Sequence, residues 1–494
     1  MGIIRNQSIK SSLLTYIGFG IGAINTLLLA KLIDPNIAGL FRFFVSVATI
    51  VFALSNLGSI SVMNKFYPYY RDLLPPPRRD ILGLVLMFCI TGFILCTAGF
   101  FIFEDLVIRK FGTKSTLVVE YYYFLIPFSF FYLFFVTFEN YSYNQFKSLM
   151  PIALKEVGLR VLNLGLGLLF ITGILRLSGF VWAYSMIYGV LLLTLLVYLY
   201  RQRDLVFTFK ISSVTRRLAS KMITFNATLY LGAVMGVIAQ NIDNLSISST
   251  QGLGMGFVFE FSTYVATLIL IPQRSIIAIS IPVLAKAWKD RDRSAIQSIY
   301  RRSSNTMFSY ALLVFLLIWM NIDAGFSILA LDEIYNQGKP VIFILGAMRV
   351  IEMSFGVNSQ IIGTSNYWRV QFFSELVQFG LAIPLNIYLM RLFGIQGNAL
   401  ANLLSLTVFG IIRYSFLWFK FRFQPWTLHT FYILCIAVSG YFICASINIP
   451  NPYVSLIFRS IVFVAWYIGL ILIFKLSNDV TEGWNMVWKR LKRQ

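Results

Sequence analysis

ILGLVLMFCITGFILCTAGFFIF, residues 81–103, runs for 23 residues without a charge. About 20 mostly apolar residues carry an α-helix across a bilayer, so this stretch reads as a transmembrane span. Its flanks carry Arg78 and Arg79 on one side, and Arg109, Lys110 and Lys114 on the other. Thirteen further runs of similar character lie outward from it. They fall near 11–33, 38–62, 117–138, 151–175, 178–200, 222–247 and 253–281, then 305–323, 339–362, 369–391, 395–419, 426–447 and 454–475. The first is too long for a signal-peptide core and no small-residue cleavage pattern follows, so it counts as a span. The expected fold is an all-α polytopic membrane protein with 14 transmembrane helices.

Composition agrees. Of 494 residues, 58% are hydrophobic and 12% charged, and the mean hydropathy is +0.75. Soluble chains carry about 25% charged and about 45–50% apolar residues. A soluble enzyme, a disordered chain and a coiled coil are excluded. No loop exceeds about 25 residues, which leaves no room for a soluble catalytic domain and points to transport, not to an enzyme. His429 stands alone as a histidine, so no His-based metal cluster and no cofactor is expected. Cys89, Cys96, Cys435 and Cys444 lie in apolar runs without a CxxC and read as packing thiols.

The net charge of +21 resolves into a topology. With fourteen spans, the N-terminal tail and the loops on its side hold 29 Lys and Arg, and the opposite loops hold seven. Lys and Arg collect on the cytoplasmic side, so both termini are expected there. Adding or dropping one span would swap sides for everything after it and spoil the asymmetry. The bias accounts for most of the positive charge, so no nucleic acid partner is expected. Trp484 and Trp488 beside the basic end of the chain suit an amphipathic surface segment or a helix-end anchor.

The two halves resemble each other. Tyr16-Ile17-Gly18 with Gly22 recurs as Tyr230-Leu231-Gly232 with Gly236, an offset of 214. Lys155-Glu156 matches Ser374-Glu375 at 219, and Ser178-Gly179 matches Gln396-Gly397 at 218. Parallel repeats of this kind enclose a central cavity and can rock about an axis normal to the membrane. The expected organisation is two pseudo-symmetric six-helix lobes, 1–205 and 222–422, joined by a basic cytoplasmic linker at 206–221. A C-terminal helix pair and basic tail follow at 423–494.

Several stretches carry a resemblance to a known family. AKLIDPNIAGLF at 30–41, SNLGS at 55–59 and NKFYPYYRD at 64–72 are similar to the first helices of polysaccharide-export flippases. NIDNLSI at 241–247, IPVLAKAWKDRD at 281–292 and FGIQGNALANLLS at 393–405 resemble their later helices. These flippases belong to the multidrug/oligosaccharidyl-lipid/polysaccharide exporter superfamily. The resemblance implies a multi-pass protein of a bacterial inner membrane. Its cargo would be an undecaprenyl-diphosphate-linked oligosaccharide, an O-antigen or polysaccharide repeat unit, moved from the cytoplasmic to the periplasmic leaflet. Membrane lipids and a polysaccharide polymerase are the implied partners. A lipid II flippase or a multidrug/cation antiporter of the same superfamily would share the architecture.

Charges inside spans are the candidate site residues, because each costs about 2.5–3.5 kcal/mol at a helix centre. Arg42, Arg160, Arg274 and Arg349 are the candidate cationic cavity for a lipid diphosphate, guanidinium being a rigid donor fork suited to phosphate. Structural ion pairs or snorkelling are the alternatives, and snorkelling suits Arg459 best. Asp243, Glu260 and Glu352 form a candidate coupling set for a Na⁺ or H⁺ gradient. A helix–helix hydrogen-bond network, or neutralisation of Arg349 by Glu352, would account for them equally. Glu156 and Glu375, equivalent in the two halves, are candidate gate ion pairs, with Lys155, Arg160 or Arg369 as partners. The aromatic run YYYFLIPFSFFYLFF at 121–135 could face a polyprenyl chain or simply pack.

Overall fold

The computed structural model describes residues 2–205, 208–447, 449–477 and 481, with the side chains of 2–13, 16, 228 and 368 left aside. Trp484, Trp488 and the basic residues from Lys489 onward lie outside the described residues. The described chain is helical, with no β-strand among the described residues. It packs into two units, Met1–Phe257 and Val258–Gln494.

The first unit contains α1 (Gly2–Leu32), α2 (Pro35–Ser55), α3 (Ser59–Leu73), α4 (Ile81–Ile102) and α5 (Leu125–Asn144). Then come α6 (Leu149–Ala153), a π turn over Leu154–Gly158, α7 (Leu159–Ile171), α8 (Leu177–Ser185), α9 (Ile187–Arg201) and α10 (Ser213–Thr250). Local chemistry sets the boundaries. Asp34 caps α2 by accepting from the Asn36 N–H at 2.7 Å, and Pro35 occupies the first turn, where its missing N–H costs nothing. α2 stops at a tight turn in which Gly58 has φ +74°. A side chain there would be strained and would strike Asn226 of α10. The core is aromatic: the rings of Phe128 and Tyr184 stack at 5.3 Å, with Phe41 at 4.3 Å from Tyr184. The run at 121–135 thus divides, Phe128 and Phe135 being buried in packing while Tyr123 and Phe130 are exposed.

The second unit holds most of α11 (Leu253–Thr267), then α12 (Ile271–Lys289), α13 (Arg293–Met320), α14 (Gly338–Ser354) and α15 (Asn358–Gly363). It continues through α16 (Trp368–Phe393), α17 (Ile395–Phe421), α18 (Leu428–Ala445) and α19 (Pro452–Ile473). Met307, Phe315, Ile433, Cys444, Phe463 and Tyr467 share one buried core, so the last helix pair packs on α13. The Tyr467 hydroxyl donates to the Ser309 carbonyl at 2.8 Å. Arg459 donates to the Ile447 carbonyl at 2.6 Å, holding the chain between α18 and α19.

Eleven helices among the described residues are long and apolar enough to cross a membrane. They coincide with eleven of the fourteen runs. Of the other three, two are broken. In 11–33 the helix α1 is continuous over Gly2–Leu32, and Ile17–Leu32 is the apolar stretch among its described side chains. In 151–175 the π turn interrupts the helix. In 339–362 α14 ends at Ser354, and Gly356, at φ +57°, turns the chain into α15.

Two starts come earlier than expected. α10 begins at Ser213, inside the expected linker, because Ser212 caps it by accepting from the Thr215 N–H at 3.2 Å. Buried Asp80 fixes that start, accepting from the Ser212 N–H at 2.8 Å and the Thr215 hydroxyl at 2.7 Å. α13 begins at Arg293, where Asp292 accepts from the Ala295 N–H at 2.9 Å. The short run 305–323 is the apolar part of that longer helix. α10 packs on α2 and α3, so packing assigns it to the first unit, whereas the internal repeat begins a new lobe with it.

Candidate functional site

A cavity of about 450 Å³ opens inside the first unit. The α2–α3 turn, α3, α5, the π turn and α10 form its walls. The walls are held by side-chain bonds to backbone carbonyls at the end of α2 and in the turn after it. Asn226 Nδ2 donates to the Leu57 carbonyl at 2.8 Å, and the Tyr230 hydroxyl to the Leu54 carbonyl at 2.9 Å. Together they pin α10 to the end of α2.

The lining is polar on one side. Asn64 Nδ2 donates to Asn140 Oδ1 at 3.2 Å, and Asn144 Nδ2 donates to Asn64 Oδ1 at 2.7 Å. Beside this amide ladder lies Glu139, whose side chain is 3% exposed. A buried carboxylate must be paired and hydrogen-bonded to stay charged. Lys155 Nζ meets both Glu139 oxygens, at 3.0 and 3.1 Å, and the Tyr143 hydroxyl donates to Oε1 at 2.8 Å. Lys155 itself is 48% exposed, and the π turn presents it to the cavity. Asn226 Oδ1 is buried and finds no partner among the described residues. The result is a near-neutral recess of amides, the hydroxyls of Ser61, Tyr143 and Tyr230, and one internally balanced ion pair. Such groups can donate to and accept from a hydroxyl-rich ligand.

The candidate arginines occupy different settings. Arg42 is partly buried on α2. Arg160 Nη1 meets Glu156 Oε2 at 2.9 Å on its own helix. Its guanidinium also lies against Gly18 and Gly22 of α1, where a Cβ would collide with it. Arg274 is exposed on α12. Arg349 Nη1 meets Glu352 Oε2 at 2.7 Å, and Gln273 Nε2 reaches Glu352 Oε1 at 3.4 Å. α12 and α14 thus bring Gln273, Arg349 and Glu352 together. Asp243 on α10 and Glu260 on α11 are both partly buried.

Glu375 meets Arg413 Nη2 at 3.2 Å, and Arg413 Nε donates to Ser374 Oγ at 3.0 Å. Arg413, counted with the basic loops, sits inside α17 at 3% exposure. So Glu156 and Glu375 each have an arginine partner, one on its own helix and one on the neighbouring helix.

No protein-family model and no curated protein matches the sequence. Solved structures do. The lipid II flippase MurJ, in an inward closed conformation, superposes with a TM-score of 0.74 at 13% identity, over 94% of this chain and 98% of that one. An inward-facing multidrug resistance MATE transporter of the MOP superfamily gives 0.63 at 15%, over 84% and 98%. A MATE structure in complex with MaL6 gives 0.55 at 16%, over 84% and 96%. The fold is shared with these structures.

Within this fold, sequence reasoning passed over Glu139, Asn64, Asn140, Asn144 and Asn226. A signal was present: FENYSYN at 138–144 places a carboxylate and two amides at the end of an aromatic span. The amide ladder crosses from α3 to α5, and no spacing along one helix reveals such a pairing.

Proposed function

We propose that the chain is a flippase for undecaprenyl-diphosphate-linked oligosaccharide. It carries an O-antigen or polysaccharide repeat unit from the cytoplasmic to the periplasmic leaflet of a bacterial inner membrane. The observation that carries this reading is the superposition on a lipid-linked substrate's flippase over nearly the whole of both chains, against 84% coverage for the MATE structures. The 29-to-seven bias of Lys and Arg supports cytoplasmic termini, and fourteen spans fit it.

In this reading Arg42, Arg160, Arg274 and Arg349 offset the diphosphate charge at successive depths, and the amide recess receives sugar hydroxyls. The polyprenyl tail stays in lipid. Alternating access then requires the headgroup to bind the inward-open and outward-open states with different affinity. Glu156 with Arg160 and Glu375 with Arg413 act as gate pairs. Asp243, Glu260 and Glu352 take the coupling cation.

Replacing Arg160 or Arg349 by Ala abolishes export with protein levels intact; unchanged export removes that residue from the role. Asp243→Asn with Glu260→Gln removes the dependence of export on an ion gradient; an unaltered dependence eliminates the coupling role. The similar structure being a lipid II flippase favours a second reading in which the cargo is lipid II. Competition between lipid II and a lipid-linked oligosaccharide for binding to the purified protein ranks the two.

A further inference from the structure

A second cavity, of about 420 Å³, lies in the other unit, lined by Arg301, Arg302 and His429 at the starts of α13 and α18. Of the two cavities, the recess of the first unit has a π turn in its wall, Leu154–Gly158. A π turn holds one residue more than an α turn. At 3.6 residues per α turn, that residue rotates the helix before the turn by about 100° against the helix after it. Such turns are rare and are found frequently at functional sites.

Two ion pairs grip this turn. Lys155, inside it, reaches both oxygens of Glu139 on α5, at 3.0 and 3.1 Å. The next residue, Glu156, pairs instead with Arg160 of α7 at 2.9 Å, and the same guanidinium donates to the Glu156 carbonyl at 3.1 Å. Arg160 in turn lies against Gly18 and Gly22 of α1. One residue of the turn thus serves the recess and its neighbour serves the contact with α1. Crowding does not cause the turn, since a Cβ at Gly158 would meet Leu191 and Leu154 only at 3.5 and 3.6 Å. Pro151 does not cause it either, because it stands in the first turn of α6, where a missing N–H breaks no helix bond. What remains is the demand of the buried Glu139 carboxylate for a cation.

We propose that the π turn is a switch that reports ligand binding in the recess to the Glu156–Arg160 pair. The Lys155–Glu139 pair keeps the extra residue in the turn. A hydroxyl-bearing ligand that bonds to Glu139 and Lys155 loosens that pair. The turn then closes to an α turn, the extra residue passes into the loop ahead of α6, and α6 rotates by about 100° against α7. Lys155 leaves Glu139, and Glu156 moves with it relative to Arg160. The ligand's part in this rests on the glycan-flippase reading above; the dependence of the turn on the Lys155–Glu139 pair does not.

Amide hydrogen exchange of the purified full chain, read by mass spectrometry over residues 154–159, tests the switch. Breaking an ion pair ordinarily loosens a helix and speeds exchange. Glu139→Gln should instead slow exchange over 154–159 about fivefold, because an α turn replaces the π turn. Deleting Val157, which removes the extra residue, should give the same slow exchange and abolish the response to Glu139→Gln. Asp204→Asn, which breaks the ion pair of Lys147 just ahead of α6, should speed exchange or leave it unchanged. An undecaprenyl-diphosphate oligosaccharide added to the wild type should slow the segment as Glu139→Gln does. The switch is overturned if Glu139→Gln speeds exchange or leaves it as in the wild type, or if Asp204→Asn slows it equally. Those outcomes decide even where the deletion variant fails to fold. Slowing by Glu139→Gln without slowing by the lipid-linked oligosaccharide keeps the switch and counts against that glycan as the ligand of the recess.

Discussion

The two cavities are nearly equal in volume, about 450 and 420 Å³, and differ in the groups that line them. In the first, the cation Lys155 arrives with its own carboxylate, and amides and hydroxyls make up the rest of the polar wall. In the second, Arg301, Arg302 and His429 stand among serine and threonine hydroxyls. A recess whose charges are already balanced discriminates by hydrogen-bond pattern. Volume alone would have made the two look alike.

The largest effect expected from this contrast is on stability. Lys155→Met leaves Glu139 buried with the Tyr143 hydroxyl as its remaining donor of those described above, a loss of about 3 kcal/mol. Glu139→Gln instead leaves a half-exposed ammonium that water can reach, a loss of about 1 kcal/mol. The double variant recovers much of the first loss. Thermal unfolding of the purified variants should rank Lys155→Met lowest; equal midpoints for the two single variants would mean that the pair does not hold Glu139 in place.

A smaller effect concerns the amide ladder. Asn64→Leu with Asn140→Leu keeps the helices and removes the ligand-facing donors and acceptors. Transport of the glycan-bearing lipid should fall about tenfold, equivalent to about 1.4 kcal/mol. Transport within twofold of wild type would reduce the ladder to helix packing.

The smallest is a response to salt. Raising ionic strength shortens the Debye length from about 10 Å at 0.1 M to about 3 Å at 1 M. Glycan binding at the amide recess, whose ion pair is internally balanced, should change less than twofold across that range. A several-fold loss would mean that charge, and not hydrogen-bond pattern, holds the ligand there.

Much of the fold was legible because membrane spans announce themselves as long uncharged runs, as 81–103 does. The interruptions were not. The π turn at Leu154–Gly158 and the bend at Gly356 leave hydropathy almost unchanged, since they alter backbone geometry without altering composition. Early starts of α10 and α13 hid behind basic residues, and only the Ser212 and Asp292 caps fix them. At the site level, i,i+3 and i,i+4 pairs could be read along a helix, as for Arg349 with Glu352 and Arg160 with Glu156. Pairs across helices could not, and Arg413 with Glu375, and Lys155 with Glu139, are of that kind.

The central claim is that the chain moves a lipid-linked glycan across a bilayer. The direct measurement is reconstitution of the purified protein into liposomes carrying a fluorescent undecaprenyl-diphosphate oligosaccharide in one leaflet, with appearance in the other followed by a membrane-impermeant quencher. The account predicts protein-dependent translocation that Arg160→Ala and Arg349→Ala each abolish. No translocation above protein-free liposomes, together with uptake of a cationic dye by the same preparation, would contradict it.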